Sequence, residues 1–195
     1  MYTLYGNLAS RAFRVMWAME EMGLDYTLVD AGPQSDAVRA VSPLGKIPAL
    51  DVDGTILTDS VAIMTYLADR HGALTYPAGT LDRARQDGFT ERVNDEFDAL
   101  LWMSARHSFV LPKEHRVPEV KPSLKWEFER NLDRLAQEFE GPFLMGETMT
   151  IPDILLGHCL GWAVMAKLPV ENPKIEAYGK ALRAREAYKA ARAKG

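Results

Sequence analysis

The chain reads as an α+β half followed by an all-helical half, and three observations carry that reading. Short apolar runs alternate with helical patterns up to about Gly79. A turn cluster, Tyr76-Pro77-Ala78-Gly79, then interrupts the chain. Beyond it the strand patterns stop and apolar residues recur at helical spacing. The division predicts one domain over residues 1–77 and a second over residues 82–195.

Each element has its own signal. Met1 to Tyr5 reads as a strand. Ser10 to Met22 reads as a helix, with Phe13, Val15, Met16, Trp17 and Met19 as apolar positions and Gly23 as its stop. Tyr26 to Val29 reads as a second strand, and Ser35 to Val41 as a short irregular helix. Ile47 to Val52 and Thr55 to Leu57 read as two strands joined by Asp53-Gly54, a hairpin turn signal. Asp59 to Arg70 reads as a helix closed by Gly72. The order is β-α-β-α-β-β-α, one mixed sheet with helices packed on it. In the second half, Leu81 to about Phe109, Ser123 to Phe139 and Ile151 to Lys167 are long helical patterns. Two shorter ones follow, Pro173 to Leu182 and Glu186 to Ala193, and together they predict a helical bundle.

Bulk properties exclude several classes. A net charge of -4 offers no electrostatic footprint for nucleic acid. No apolar run approaches the ~20 residues that span a bilayer, and Met1 to Asn7 lacks the basic and apolar regions of a signal peptide. With one cysteine, Cys159, no intrachain disulfide is possible, which fits a cytoplasmic protein. The four histidines, His71, His107, His115 and His158, lack metal-ligand spacing, and no phosphate-binding G-x-x-x-x-G-K-[ST] occurs. No metal or resident cofactor is expected.

The richest stretch is Ser42 to Leu50, S-P-L-G-K-I-P-A-L, read with Asp59-Ser60 downstream. Pro48 interrupts a strand-like run, and proline removes a ladder donor and fixes φ. It marks special backbone geometry, with a cis bond as one form, that turns the Ile47 backbone outward to bind something. Asp59-Ser60 opens a helix, and helix N-termini attract carboxylates. A small acidic peptide fits between these two points. Together with Ser10, Arg14 and Val15 (S-x-x-x-R-V) and the T-I-P-D segment at Thr150 to Asp153, these features make the chain resemble the cytosolic glutathione S-transferases. The likeness runs over nearly its whole length and is of the serine type, like theta, zeta and beta members from bacteria. The resemblance implies a thioredoxin-like first domain, an all-α bundle as the second, glutathione as cosubstrate, a hydrophobic electrophile as its partner in reaction, a detoxification role and a homodimer.

It also assigns roles. Ser10, otherwise a helix cap, is the expected catalytic residue, donating a hydrogen bond to the glutathione thiolate, with Tyr5 and Asn7 as competing donors. Lys46 is a point charge for a peptide carboxylate, and the Ile47 backbone pairs with the cysteinyl unit. Asp59 is expected to pair with the γ-glutamyl ammonium, and Ser60 to hold its carboxylate. Both residues also suit a plain helix start. Trp102 and Arg106, four apart on one helix face, are candidates for the second-substrate wall, with bundle core as the alternative. Thr150 to Asp153 reads as a capping box, a structural feature. Three functions stand: a transferase, a glutathione-dependent peroxidase or isomerase, and a non-catalytic glutathione-binding or interaction module. Ala9-Ser10-Arg11 departs from the zeta S-S-C triplet, which weighs against maleylacetoacetate isomerase.

Overall fold

A computed structural model describes residues 1–194 and divides the chain into two compact units. The first holds Met1–Arg83 together with the segment from Arg183 onward, and the second Ala84–Leu182.

Unit 1 is built on β1 (Tyr2–Gly6), β2 (Thr27–Asp30), β3 (Ala49–Val52) and β4 (Thr55–Thr58). The sheet order is β2-β1-β3-β4, with β1 and β2 parallel and the other pairings antiparallel. Leu4 pairs with Leu28 on one side and Leu50 on the other, and both Leu4 and Leu50 are fully buried. Asp53 and Gly54 both take positive φ, as a two-residue hairpin turn requires. The helices are α1 (Ala12–Glu21), α2 (Asp36–Val41) and α3 (Ser60–His71). α2 is regular, with Ser35 accepting the Val38 N–H.

α1 is buried along Ala12 to Met19, including its polar member Arg14. An amphipathic helix against a sheet hides only one stripe. The remainder is covered from within the same unit by α9 (Glu186–Arg192). Tyr188 packs edge-on against Phe13 and Trp17, with ring centroids 5.2 and 5.0 Å away. Arg185 grips Glu21 with two bonds of 2.6 and 2.7 Å, and Glu21 also accepts the Trp17 indole N–H. This packing explains why the segment from Arg183 groups with unit 1, where the sequence division assigned it to the second domain.

Unit 2 takes up the helical run that starts with α4 (Leu81–Val93) and continues through α5 (Ala99–Ala105). Two π-helical turns, Asn94–Asp98 and Arg106–Val110, extend the same run. Such turns widen the hydrogen-bond spacing. Buried Asn131 donates to the Glu96 carbonyl inside the first of them, at 3.1 Å. α6 (Lys121–Glu138), α7 (Ile151–Ala166) and α8 (Pro173–Ala184) complete the elements. No helix among the described residues is long and apolar enough to cross a membrane.

α7 is anchored by Asp153, which is fully buried. Its carboxylate accepts the Leu144 N–H (2.8 Å), the Thr150 N–H (2.8 Å), the Thr150 hydroxyl (3.3 Å) and the Tyr178 hydroxyl (2.7 Å). Burial pushes this carboxyl above its ordinary range, and those four bonds oppose the shift. Burial first, then the charge of Asp153, pushes the Tyr178 hydroxyl well up. Asp153→Ala orphans several buried donors and is expected to cost about 3–4 kcal/mol, far beyond the ~1 kcal/mol of a simple cap. The denaturation midpoint of the variant checks this, and a loss near that of an ordinary cap would refute it.

Candidate active site

The first turn of α1 is set by a close approach. Gly6 ends β1 at φ 154°, and a Cβ there would lie 2.3 Å from that of Ala12. The chain therefore turns from strand to helix through Asn7–Arg11 with no room for a side chain at the corner. Ser10 sits in this turn, half-buried. Its hydroxyl donates to the Asn7 carbonyl at 2.9 Å and accepts the Ala12 N–H at 3.2 Å. Ser10 thus supports the helix start from two residues before α1, and it touches Asn7, one of its two competitors. The other, Tyr5, lies inside β1, paired with Val29 and Ala49.

Four residues on, Arg14 is 1% exposed, and its Nη1 donates to the Ser60 hydroxyl at 3.4 Å. Ser60 is itself buried at the first position of α3. A guanidinium carries donors only, so the Ser60 oxygen must accept, which leaves its own proton for another acceptor. The starts of α1 and α3 are joined through this pair. A charge flanked by Ala12, Phe13, Val15 and Met16 is a signal visible in the sequence. Such a residue is buried only with partners. In the sequence Arg14 stands only as part of the S-x-x-x-R-V motif, and its link to Ser60 emerges from the fold.

Asp59 precedes α3 and takes φ 72°, ψ 129°. One carboxylate oxygen accepts the Val61 and Ala62 N–H groups at 2.8 and 3.2 Å. The capping role expected of an Asp at a helix start is therefore filled, and the residue stays exposed.

The Ile47–Pro48 bond is cis, and β3 begins directly after it at Ala49. Pro48 is buried, Ile47 half-buried and Lys46 exposed. Among the described residues, neither the N–H nor the C=O of Ile47 bonds to another backbone group. Unit 1 thus gathers Ser10, Lys46, Ile47, Asp59 and Ser60. Trp102 and Arg106 belong to unit 2, the first in α5 and partly exposed, the second opening the π turn after it.

Residues 10–70 match the family model described as glutathione S-transferase, N-terminal domain. Over 166 residues the chain is 30% identical to glutathione S-transferase GstA of Escherichia coli O157:H7, covering 79% of this chain and 78% of that protein. The chain belongs to the cytosolic glutathione S-transferase superfamily. By that membership it is a glutathione transferase enzyme. This transferase is also 25% identical over 189 residues to the maleylacetoacetate isomerase of Rattus norvegicus, covering 92% of this chain and 86% of that one. A crystal structure of a glutathione transferase from Methylococcus capsulatus aligns with a TM-score of 0.83 at 27% identity, covering 98% and 97% of the two chains. A theta class enzyme from Xanthomonas axonopodis pv. citri, solved with glutathione bound, aligns at 0.78 and 25% identity, covering 97% and 96%.

The backbone of Asp59 lies where a non-glycine residue pays about 1–3 kcal/mol. Asp59→Gly loses a cap worth ~1 kcal/mol but relieves that cost, whereas Asp59→Ala loses the cap and keeps the strain. In thermal melts the glycine variant is expected to match or exceed the parent, and the alanine variant to fall below it. The reverse ranking would show that the backbone at Asp59 is unstrained.

Proposed function

We propose that this transferase binds glutathione along the ends of β1 and β3 in unit 1 and activates its thiol for attack on an electrophilic, hydrophobic small molecule. The observation that supports this most directly is the joining of the α1 and α3 starts by Arg14 and Ser60. Two helix N-termini beside one buried cation form an electropositive setting for a carboxylate and a thiolate.

In this reading Ser60 donates its remaining proton to the γ-glutamyl carboxylate. The second carboxylate oxygen of Asp59, the one outside the cap, takes the ammonium. Ile47 pairs through its N–H and C=O with the cysteinyl unit, antiparallel, and Lys46 holds the glycyl carboxylate as a point charge. The Ser10 hydroxyl swings its proton from the Asn7 carbonyl to the sulfur. A free cysteine thiol titrates near ~8.5. Lowering that by about two units takes about 2.7 kcal/mol of preferential thiolate stabilisation, within reach of a hydroxyl donor, a helix start and Arg14 acting together. The thiolate then attacks the electrophilic carbon and displaces the leaving group, and no bond to the protein forms.

A second reading, glutathione-dependent isomerisation, is favoured by the likeness to the rat isomerase along nearly the full chain. A transferase consumes glutathione stoichiometrically, whereas an isomerase returns it, so titrating free thiol during turnover separates the two. In the cell the protein is proposed to act in the cytoplasm, in detoxification and as a homodimer. Light scattering at micromolar protein is expected to give twice the chain mass, and a monomer would refute the dimer.

Ser10→Ala is expected to raise the pKa of the bound thiol by about one unit or more while changing glutathione affinity little. Ser60→Ala is expected to weaken affinity about 5- to 20-fold and leave that pKa nearly unmoved. Thiolate absorbance against pH and calorimetry read the two effects. An unshifted curve for the Ser10 variant would transfer the role to Asn7 or Tyr5, and unchanged affinity for the Ser60 variant would overturn the γ-glutamyl site.

A further inference from the structure

Gln34 has no role in the reading above, yet it is fastened at several points to the turn that delivers Lys46 and Ile47. It takes φ 67°, a left-handed backbone rare for a non-glycine residue. Its N–H donates to the Gly45 carbonyl at 2.8 Å. Its side-chain Nε2 donates to the Leu44 carbonyl at 2.9 Å. Its Oε1 accepts from Arg39 at 2.9 Å (Nη2) and 3.3 Å (Nε). Since a guanidinium only donates and a carbonyl only accepts, the amide has one orientation that satisfies both neighbours. Gly45 is the other half of the fit. A Cβ at Gly45 would fall 2.6–2.8 Å from the Gln34 amide atoms, and its φ of 63° also suits glycine.

The two loop carbonyls that Gln34 holds belong to the residues immediately before Lys46. The turn is further closed by the Gly45 N–H on the Ser42 carbonyl at 2.7 Å. Lys46 itself is exposed, and its side chain makes no hydrogen bond or ion pair among the described residues. A long, mobile cation of this kind loses rotamer freedom on binding. What the protein fixes in advance is where its backbone starts.

We propose that Gln34 is a positioning residue for the glycyl end of glutathione. Its amide latches the Leu44–Gly45 turn so that Lys46 and the Ile47 backbone are presented together. Arg39 holds the amide in the latching orientation. The inference rests on the proposed contact between Lys46 and the glycyl carboxylate.

The test compares glutathione with γ-glutamylcysteine, which lacks the glycyl unit, on the parent protein and on Gln34→Leu. All three residues of the latch are at the surface or in the turn, so folding is not at stake, and Arg39→Ala gives an independent loosening of the same amide. By calorimetry, Gln34→Leu is expected to weaken glutathione about 5- to 10-fold and γ-glutamylcysteine less than about 2-fold. Arg39→Ala should give a smaller loss with the same preference. The pKa of the bound thiol should stay where the parent has it, because the Ser10 turn is untouched. Equal losses on both peptides, unchanged affinity for glutathione, or a shifted thiol pKa would each overturn the latch while leaving the glutathione reading intact. A parent protein that binds neither peptide would overturn both.

Discussion

A guanidinium almost without solvent contact is the constraint around which the first unit is arranged. Arg14 stands in the buried stretch of α1, between Ala12 and Phe13 on one side in sequence and Val15 and Met16 on the other, and burying such a charge without partners costs several kcal/mol. The helix can therefore take its place only where polar groups meet the guanidinium. Ser60 is one of them, and it is the first residue of α3. The packing of α1 against α3 and the polarity of the Ser60 hydroxyl are thus two results of one requirement. Replacing the arginine by an apolar residue of similar volume could preserve the fold and would still remove the directed proton.

The same economy runs through the rest of the unit. Gly6 allows α1 to begin hard against the end of β1, which puts Ser10 and Asn7 in contact at the corner. Asp59 spends one oxygen on the α3 cap and keeps the other exposed. Among the described residues Ile47 has no backbone partner, just before β3 begins its pairing with β1. None of these features is a pocket in itself. Asp59 keeps one carboxylate oxygen outside its cap, Ile47 keeps its N–H and C=O free of other backbone groups among the described residues, and Ser10 has its proton on the Asn7 carbonyl; in the proposed binding mode a tripeptide takes up all of these groups.

Much of this was readable in the residues. Strand and helix identities followed from periodicity, and the hairpin from Asp53-Gly54, because those signals are local. The helix expected from Ser10 begins two residues later, at Ala12, whose N–H bonds to the Ser10 hydroxyl before helical spacing starts. The π turns in the run from Leu81 have no local sequence signal, and the first of them is met by the side chain of Asn131, far along the chain. The same holds for α9, whose own sequence says only that it is a short helix. Its assignment to unit 1 depends on Tyr188 meeting Phe13 and Trp17. The candidate site residues lie in motifs that can be read from sequence, whereas a turn glutamine such as Gln34 has no distinguishing neighbours until the fold brings Gly45 beneath it.

The packing of α9 on α1 has a consequence for how the protein is made. The aromatic face of α1 is born early at the ribosome, but its cover emerges only after the whole of unit 2 has been synthesised. Until then Phe13 and Trp17 lack Tyr188, and Glu21 lacks its clamp. The half that is translated first is hence the half completed last, against the usual order in which domains mature from the N-terminus.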